Sequence, residues 1–206
     1  MTEYLPGMET ERRKPELSQW YTPPDLARRI AEWAVESWDK ARDMRVLEPT
    51  AGRGALVDAL LEQDCVEIID AIELDDQNYE HLKRRYAGNP RVRVFQGDFL
   101  QIRPHELPHD VYDLAVQNTP FEAGQTEAFI THSLRMCERV VAHGPLTTLA
   151  GQDRKRSLWD QVSLPRMVIH SARPSYGDGG GKTDMATFDI VPELQDGVQT
   201  QIEWWA

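Results

Sequence analysis

The sequence predicts an α/β fold, a doubly wound sheet of mostly parallel strands. Three observations predict it. Segments with helical spacing of apolar residues alternate with short strand-like runs. One such run, Arg45 to Glu48, passes straight into a glycine-bearing turn and then a helix. Acidic residues recur at the ends of successive strands, where open α/β sheets present their sites.

Taken in order, residues 24–38 (PDLARRIAEWAVESW) place Leu26, Ile30, Trp33, Ala34 and Val35 at helical spacing, and Pro24 suits a first helical turn. Arg45–Glu48 is a short strand, followed by PTAGRG and the helix ALVDALLEQ. Glu67–Leu74 reads as a second strand and Asp75–Tyr86 as a second helix of the alternation. Arg91–Gln96 alternates as a half-buried strand should. Asp113–Gln117 is the fourth strand, and Glu122–Val141 is expected as a long helix with Phe129, Leu134 and Met136 inward. Leu146–Ala150, Met167–His170 and Met185–Val191 complete seven strands.

A chain of 206 residues suits one domain with a sizeable core. Residues 1–17 are expected as a flexible lead-in and 18–206 as a single domain. No apolar run approaches the ~20 residues needed to cross a bilayer, and the polar N-terminus does not read as a signal peptide. A cytoplasmic protein without membrane contact is expected. Cys65 and Cys137 match no metal or redox spacing and are expected as free thiols.

The formal charge of −11 counts against a nucleic-acid partner unless the positive charge is concentrated. It is concentrated. Residues 151–182 hold six cations against three carboxylates, net +3, which leaves −14 for the rest. Two motifs mislead. HELPH, His105 to His109, matches a zinc-protease pattern that works only on a helix, and Pro104 and Pro108 bracket it. GDGGGKT, Gly177 to Thr183, resembles a phosphate loop, but Tyr176 stands where the first glycine belongs. No metal site is expected.

VLEPTAGRGAL carries more. Gly52 and Gly54 let the backbone turn tightly and approach a ligand before a helix begins. Nineteen residues after Gly54 comes Glu73, placed to accept hydrogen bonds from ribose hydroxyls. A dinucleotide fingerprint needs a third glycine where Val57 stands. A nucleoside ligand without a pyrophosphate fits better, and Glu48 suits an ammonium group. S-adenosyl-L-methionine has an ammonium, a ribose and an adenine.

Over residues 18–191 the chain resembles class I S-adenosylmethionine-dependent amino-methyltransferases of the N6-adenine-specific DNA type. The resemblance implies a mixed, mostly parallel, seven-stranded Rossmann-like sheet with helices on both faces. QWYTPPDLA resembles the segment that precedes the sheet and implies cofactor contact by Tyr21, Thr22 and Pro23. EPTAGRG resembles the cofactor loop and implies Glu48, Thr50, Ala51, Gly52 and Gly54. IELD implies Glu73 and Leu74 at the ribose, and GDFL implies Asp98 and Phe99 at the cofactor adenine. NTPF resembles the catalytic Asn-Pro-Pro-Tyr/Phe motif, implying Asn118, Thr119, Pro120 and Phe121 as the catalytic group, with Asn118 beside the cofactor.

The chemistry follows from the amine. The lone pair of adenine N6 is delocalised into the ring, and acceptors on its two hydrogens favour the localised, nucleophilic form. Asn118 offers a side-chain carbonyl and residue 119 a main-chain carbonyl. Positioning and electrostatics then supply most of the catalysis. Phe121 can stack on a base taken out of its helix, worth ~1–3 kcal/mol. Thr119 stands where the family has proline. It keeps the carbonyl, loses the fixed φ, and brings an N–H that must find a partner. Weakened positioning with an intact cofactor site is the expectation.

DNA adenine methylation with short or relaxed site specificity is the leading expectation. Arg154, Lys155, Arg156 and Lys182 of the basic segment 151–182 would contact phosphates. RNA-base or protein-glutamine methylation are the enzymatic alternatives. A weakly active or inactive cofactor-binding protein is the other, because of Thr119. Specificity would come from short loops such as 151–182 or from a separate subunit, and a homodimer is the other partner expected.

Overall fold

The computed structural model describes residues 21–36, 38, 43–122, 124–175, 183–195 and 197–206. The expected lead-in and Lys182 lie outside these residues, as does most of GDGGGKT. Helix α1 (Pro24–Val35) starts at its proline and buries Leu26, Ala27, Ile30, Ala31, Trp33, Ala34 and Val35. Then follow β1 (Met44–Glu48), α2 (Ala55–Leu61), β2 (Val66–Glu73), α3 (Asp76–Arg85), β3 (Val92–Gln96) and β4 (Leu114–Asn118). Asp75 caps α3 by accepting from the Gln77 and Asn78 amides. The chain continues through α4 (Gln125–Ser133), β5 (Val140–Pro145), β6 (Ser163–His170), β7 (Met185–Val191) and β8 (Gln201–Trp205).

The eight strands form one sheet in the order β3-β2-β1-β4-β5-β7-β6-β8. The first five are parallel, and β7 runs antiparallel to both β5 and β6. The order reverses between β1 and β4, which opens a crevice at their carboxyl ends. Alternate residues feed two cores. Val46, Leu114 and Val116 pack with α1 and α2 on one face. Leu47, Ala115, Phe129 and Ile130 pack on the other, with α4.

Three sequence expectations change here. The helix expected over Glu122–Val141 is only α4, and the chain then turns into β5. All six residues of β5 are buried, so no alternation distinguished strand from helix. Leu146–Ala150, expected as a strand, is a 3₁₀ turn over Leu146–Leu149. The unexpected β8 pairs in parallel with β6 and brings the total to eight strands. Its Trp205 meets Trp33 edge-on at 6.2 Å, and the Trp33 indole donates to Glu203 at 2.9 Å. These contacts join α1 to the sheet edge and have no local sequence signature.

The segment 151–182 contains β6, which takes in the strand expected over Met167–His170, and it is less free in charge than expected. Arg166 pairs with Asp189 at 3.0 Å and Glu36 at 2.9 Å, and its guanidinium lies 4.3 Å from the Trp33 ring centre. Arg173 pairs with Asp184. In HELPH, one 3₁₀ turn over Pro104–Glu106 gives way to extended Leu107, so the two histidines share no helix face. Among the described residues, no helix is long and apolar enough to cross a membrane.

Candidate active site

The site is built on four strand ends. After β1, Glu48 is fully buried, and its Oε1 accepts from the Thr50 amide at 3.0 Å and the Thr50 hydroxyl at 2.7 Å. Its Oε2 has no hydrogen-bond partner among the described residues. Gly52 then turns with φ 54°, a left-handed value that favours glycine. A Cβ there would sit 3.5 Å from the Tyr21 ring, which lies across the turn. After β2, Glu73 holds this turn in place. Its Oε2 accepts from the Gly52 amide at 2.6 Å and its Oε1 from the Asp75 amide at 2.7 Å. After β3, Asp98 caps a 3₁₀ turn by accepting from the Leu100 amide at 3.2 Å. Phe99 is buried against Phe129 and His132.

After β4, Asn118 is anchored twice. Its amide N–H donates to Thr50 Oγ1 at 3.2 Å, and its Nδ2 donates to Thr22 Oγ1 at 2.9 Å. Thr119 is 2 % exposed. Its N–H, the donor that proline would lack, reaches the His143 carbonyl of β5 at 3.1 Å. Its hydroxyl sits 2.9 Å from Thr126 Oγ1 and 3.2 Å from the same carbonyl. Thr126 in turn donates to the Pro120 carbonyl at 3.2 Å. Gly144 leaves room for this cluster, because a Cβ there would meet Thr119 Oγ1 at 3.1 Å. Thr119 is therefore held by its own network, contrary to the expected looseness.

Two clefts meet here. One, of ≈ 460 Å³, is lined by Thr22, Glu48, Ala51 and Arg53 among others. The other, of ≈ 150 Å³, is lined by Glu73, Leu74, Asp98, Phe99 and Pro120 among others. Tyr21, Thr50, Gly52 and Asn118 line both.

The remaining expected residues lie around these clefts as follows. Pro23 precedes α1, and its carbonyl accepts from Ala27. Gly54 is a packing position against Tyr86. Phe121 is half-exposed in the loop after β4. Arg154 folds onto its own turn, donating to the Ala150 carbonyl at 2.6 Å, and Lys155 pairs with Asp160. Arg156 is exposed. Sequence reasoning missed Arg53, whose guanidinium lies 4.5 Å from the Tyr21 ring centre, and Thr126. Arg53 lay inside the quoted loop motif, whereas nothing local marked Thr126.

The donor set fits S-adenosyl-L-methionine. Glu48 offers a buried carboxylate oxygen for an ammonium, while Glu73 and Asp98 line the neighbouring cleft. Burial pushes the Glu48 carboxyl from its ordinary 4.5 up to about 8, against the two Thr50 hydrogen bonds. Burial thus favours the protonated carboxyl in the free protein well above the ordinary carboxylate range. The sign follows: stability tied to this group is full below the ordinary carboxylate range and is lost as pH rises toward 8. An ammonium favours the ionised carboxylate, so cofactor binding at pH 7 should release a proton. Above roughly pH 8 a free α-amino group is itself neutral, so affinity should peak near pH 8. Calorimetry in buffers of different ionisation enthalpy checks both points.

No protein-family model matches the chain. It is 38% identical over 94 residues to a ribosomal RNA small subunit methyltransferase A from Prochlorococcus marinus, a match covering 45% of this chain and 33% of that protein. The match thus spans about a third of the relative's length. Among solved structures, a type I restriction-modification methyltransferase subunit from Streptococcus thermophilus aligns with a TM-score of 0.75 at 13% identity, over 90% of this chain and 47% of that one. This chain has the class I methyltransferase fold. A dimethyladenosine transferase from Plasmodium falciparum aligns with a TM-score of 0.57 at 19% identity, over 84% of this chain and 62% of that one. The cofactor these methyltransferases imply is S-adenosyl-L-methionine.

On this fold, proline at position 119 should be no improvement. Thr119→Pro removes the N–H to His143 and both hydroxyl contacts. The expected result is a stability loss of about 1–3 kcal/mol, read by thermal unfolding, and, for the activity proposed below, no gain in transfer rate.

Proposed function

We propose that this protein transfers a methyl group from S-adenosyl-L-methionine to the exocyclic N6 amine of an adenine in RNA. The observation that carries the reading is the end of β4, where Asn118 lines both clefts and Thr119 and Pro120 follow it. When bound, the cofactor supplies an electrophilic methyl group. The chain's own part is to hold the amine. Asn118 Oδ1 and the Thr119 carbonyl accept its two hydrogens and localise its lone pair. Phe121 is placed to stack on the base, and the loop from Thr119 to Thr126 keeps the carbonyl in position through its hydroxyl network. No strong base is needed, because the product ammonium loses its proton readily.

RNA is favoured over the DNA substrate that the motifs suggest, because the curated relatives are ribosomal RNA methyltransferases and one structural neighbour is a dimethyladenosine transferase. DNA is the second reading, supported by the coverage of this chain by the restriction-modification subunit. The test incubates the protein and labelled cofactor with small-subunit ribosomal RNA, with assembled small subunits and with duplex DNA. Nucleosides are then identified by mass spectrometry. Methylated adenosine in either RNA sample supports the reading, and methylated deoxyadenosine alone supports the second. No label in any sample overturns both.

A further inference from the structure

Asn side chains do not fix their own amide plane, because the terminal torsion is broad. Asn118 must present its carbonyl and not its NH₂ to an incoming amine, so something must hold that plane. Two threonines from different parts of the chain touch this residue. Thr50 receives the Asn118 main-chain N–H at 3.2 Å and donates to buried Glu48 at 2.7 Å, which fixes the backbone. Thr22 receives Asn118 Nδ2 at 2.9 Å, across 96 residues of sequence, and so acts on the amide itself. Thr22 is half-buried in the extended segment just before α1, and it lines the larger cleft together with Asn118.

We propose that Thr22 is a positioning residue for methyl transfer: its hydroxyl holds the Asn118 amide with Nδ2 turned away and Oδ1 turned to the target amine. The segment ahead of the sheet therefore sets the geometry of the acceptor side chain as well as bordering the cofactor. This assignment rests on the methyltransferase reading above and adds a role to a residue that the motif resemblance places only at the cofactor. The two roles predict different kinetics. If Thr22 served the cofactor alone, removing its hydroxyl would weaken cofactor binding. As a positioning residue, its removal slows transfer even at saturating cofactor.

The experiment compares Thr22→Val, which keeps the shape and loses the hydrogen-bond partner, with Thr22→Ser, which keeps the hydroxyl. Single-turnover transfer to the preferred nucleic acid should fall about tenfold to a hundredfold in Thr22→Val and recover in Thr22→Ser. The dissociation constant for S-adenosyl-L-methionine, by calorimetry, should stay within about threefold of the parent. A parallel measurement needs no activity. The Asn118 side-chain NH₂ signals of ¹⁵N-labelled protein, assigned against Asn118→Asp, should show one protected proton in the parent and in Thr22→Ser. That protection should be lost in Thr22→Val. Unchanged Asn118 signals in Thr22→Val overturn the proposal, as does an unchanged transfer rate or a loss confined to cofactor affinity. A parent protein silent on every nucleic acid overturns the adenine-methylation reading, and the NMR arm still decides whether Thr22 holds Asn118.

Discussion

Asn118→Ala is expected to lower the single-turnover rate of methyl transfer by about 10²–10³-fold, the range for removing one preorganised electrostatic group at a reacting centre. In the proposed reaction the side chain supplies one of the two acceptors for the amine, and water is a poor substitute because it must be ordered at the moment of reaction. Cofactor affinity should change by less than about tenfold, since the contacts that alanine removes, Nδ2 to Thr22 among them, lie within the free protein. The main-chain anchor to Thr50 survives, so β4 should still end in the same place. Rapid-quench transfer and calorimetry on the same preparation separate the two quantities. Equal loss of rate and cofactor affinity would reassign Asn118 to cofactor binding alone.

The second large effect concerns stability. Gly54→Ala should destabilise the fold by about 2–4 kcal/mol, from overpacking and left-handed backbone strain together. Gly54 has φ 91°, and an added Cβ would lie 2.4 Å from the Tyr86 hydroxyl and 3.0 Å from Leu82 Cδ2. Tyr86 cannot swing aside cheaply. Its hydroxyl lies within hydrogen-bond distance of two acceptors, the Gly54 carbonyl at 3.0 Å and Asp58 at 2.8 Å, and α3 carries Leu82 into the core. Combining Gly54→Ala with Tyr86→Phe should recover part of the loss by removing the clashing oxygen, and the φ strain should remain. Urea unfolding of the parent, both single variants and the double variant measures the coupling. A double variant no more stable than Gly54→Ala would place the whole cost in the backbone.

These two positions illustrate different degrees of legibility. Gly54 reads in sequence as a turn glycine near a ligand. The turn conformation is as expected, and the structure adds a neighbour that the motif does not show, a tyrosine 32 residues away whose hydroxyl reaches the Gly54 carbonyl. Glu48, Gly52, Glu73, Asp98 and Asn118 are all legible from strand ends, and the sheet order brings those ends side by side. That works because parallel strands must end at one edge, so residues terminating successive runs become neighbours. The misses have equally physical causes. Strand β5 is buried on both faces, which erases the period that identifies a strand. Strand β8 has exposed Ile202 and Trp204 and exists through its pairing with β6.

Charge shows the limit most clearly. The net +3 of residues 151–182 suggested a phosphate-binding surface. The fold takes Arg166 into a pair with Asp189 and Lys155 into one with Asp160. Charge summed along a chain takes no account of partners that folding supplies.

Local pattern alone reveals the class of fold, the strand ends that gather at the candidate site, and residue types suited to a sulfonium cofactor and an amine. Those follow from local periodicity, from glycine's access to positive φ, and from the chemistry of individual side chains. That Thr119 is firmly held and that Thr22 reaches Asn118 emerges from the packed fold. The same packing leaves one Glu48 oxygen buried without a partner among the described residues. Each of these depends on atoms brought together from distant parts of the chain, and no local pattern encodes such a meeting.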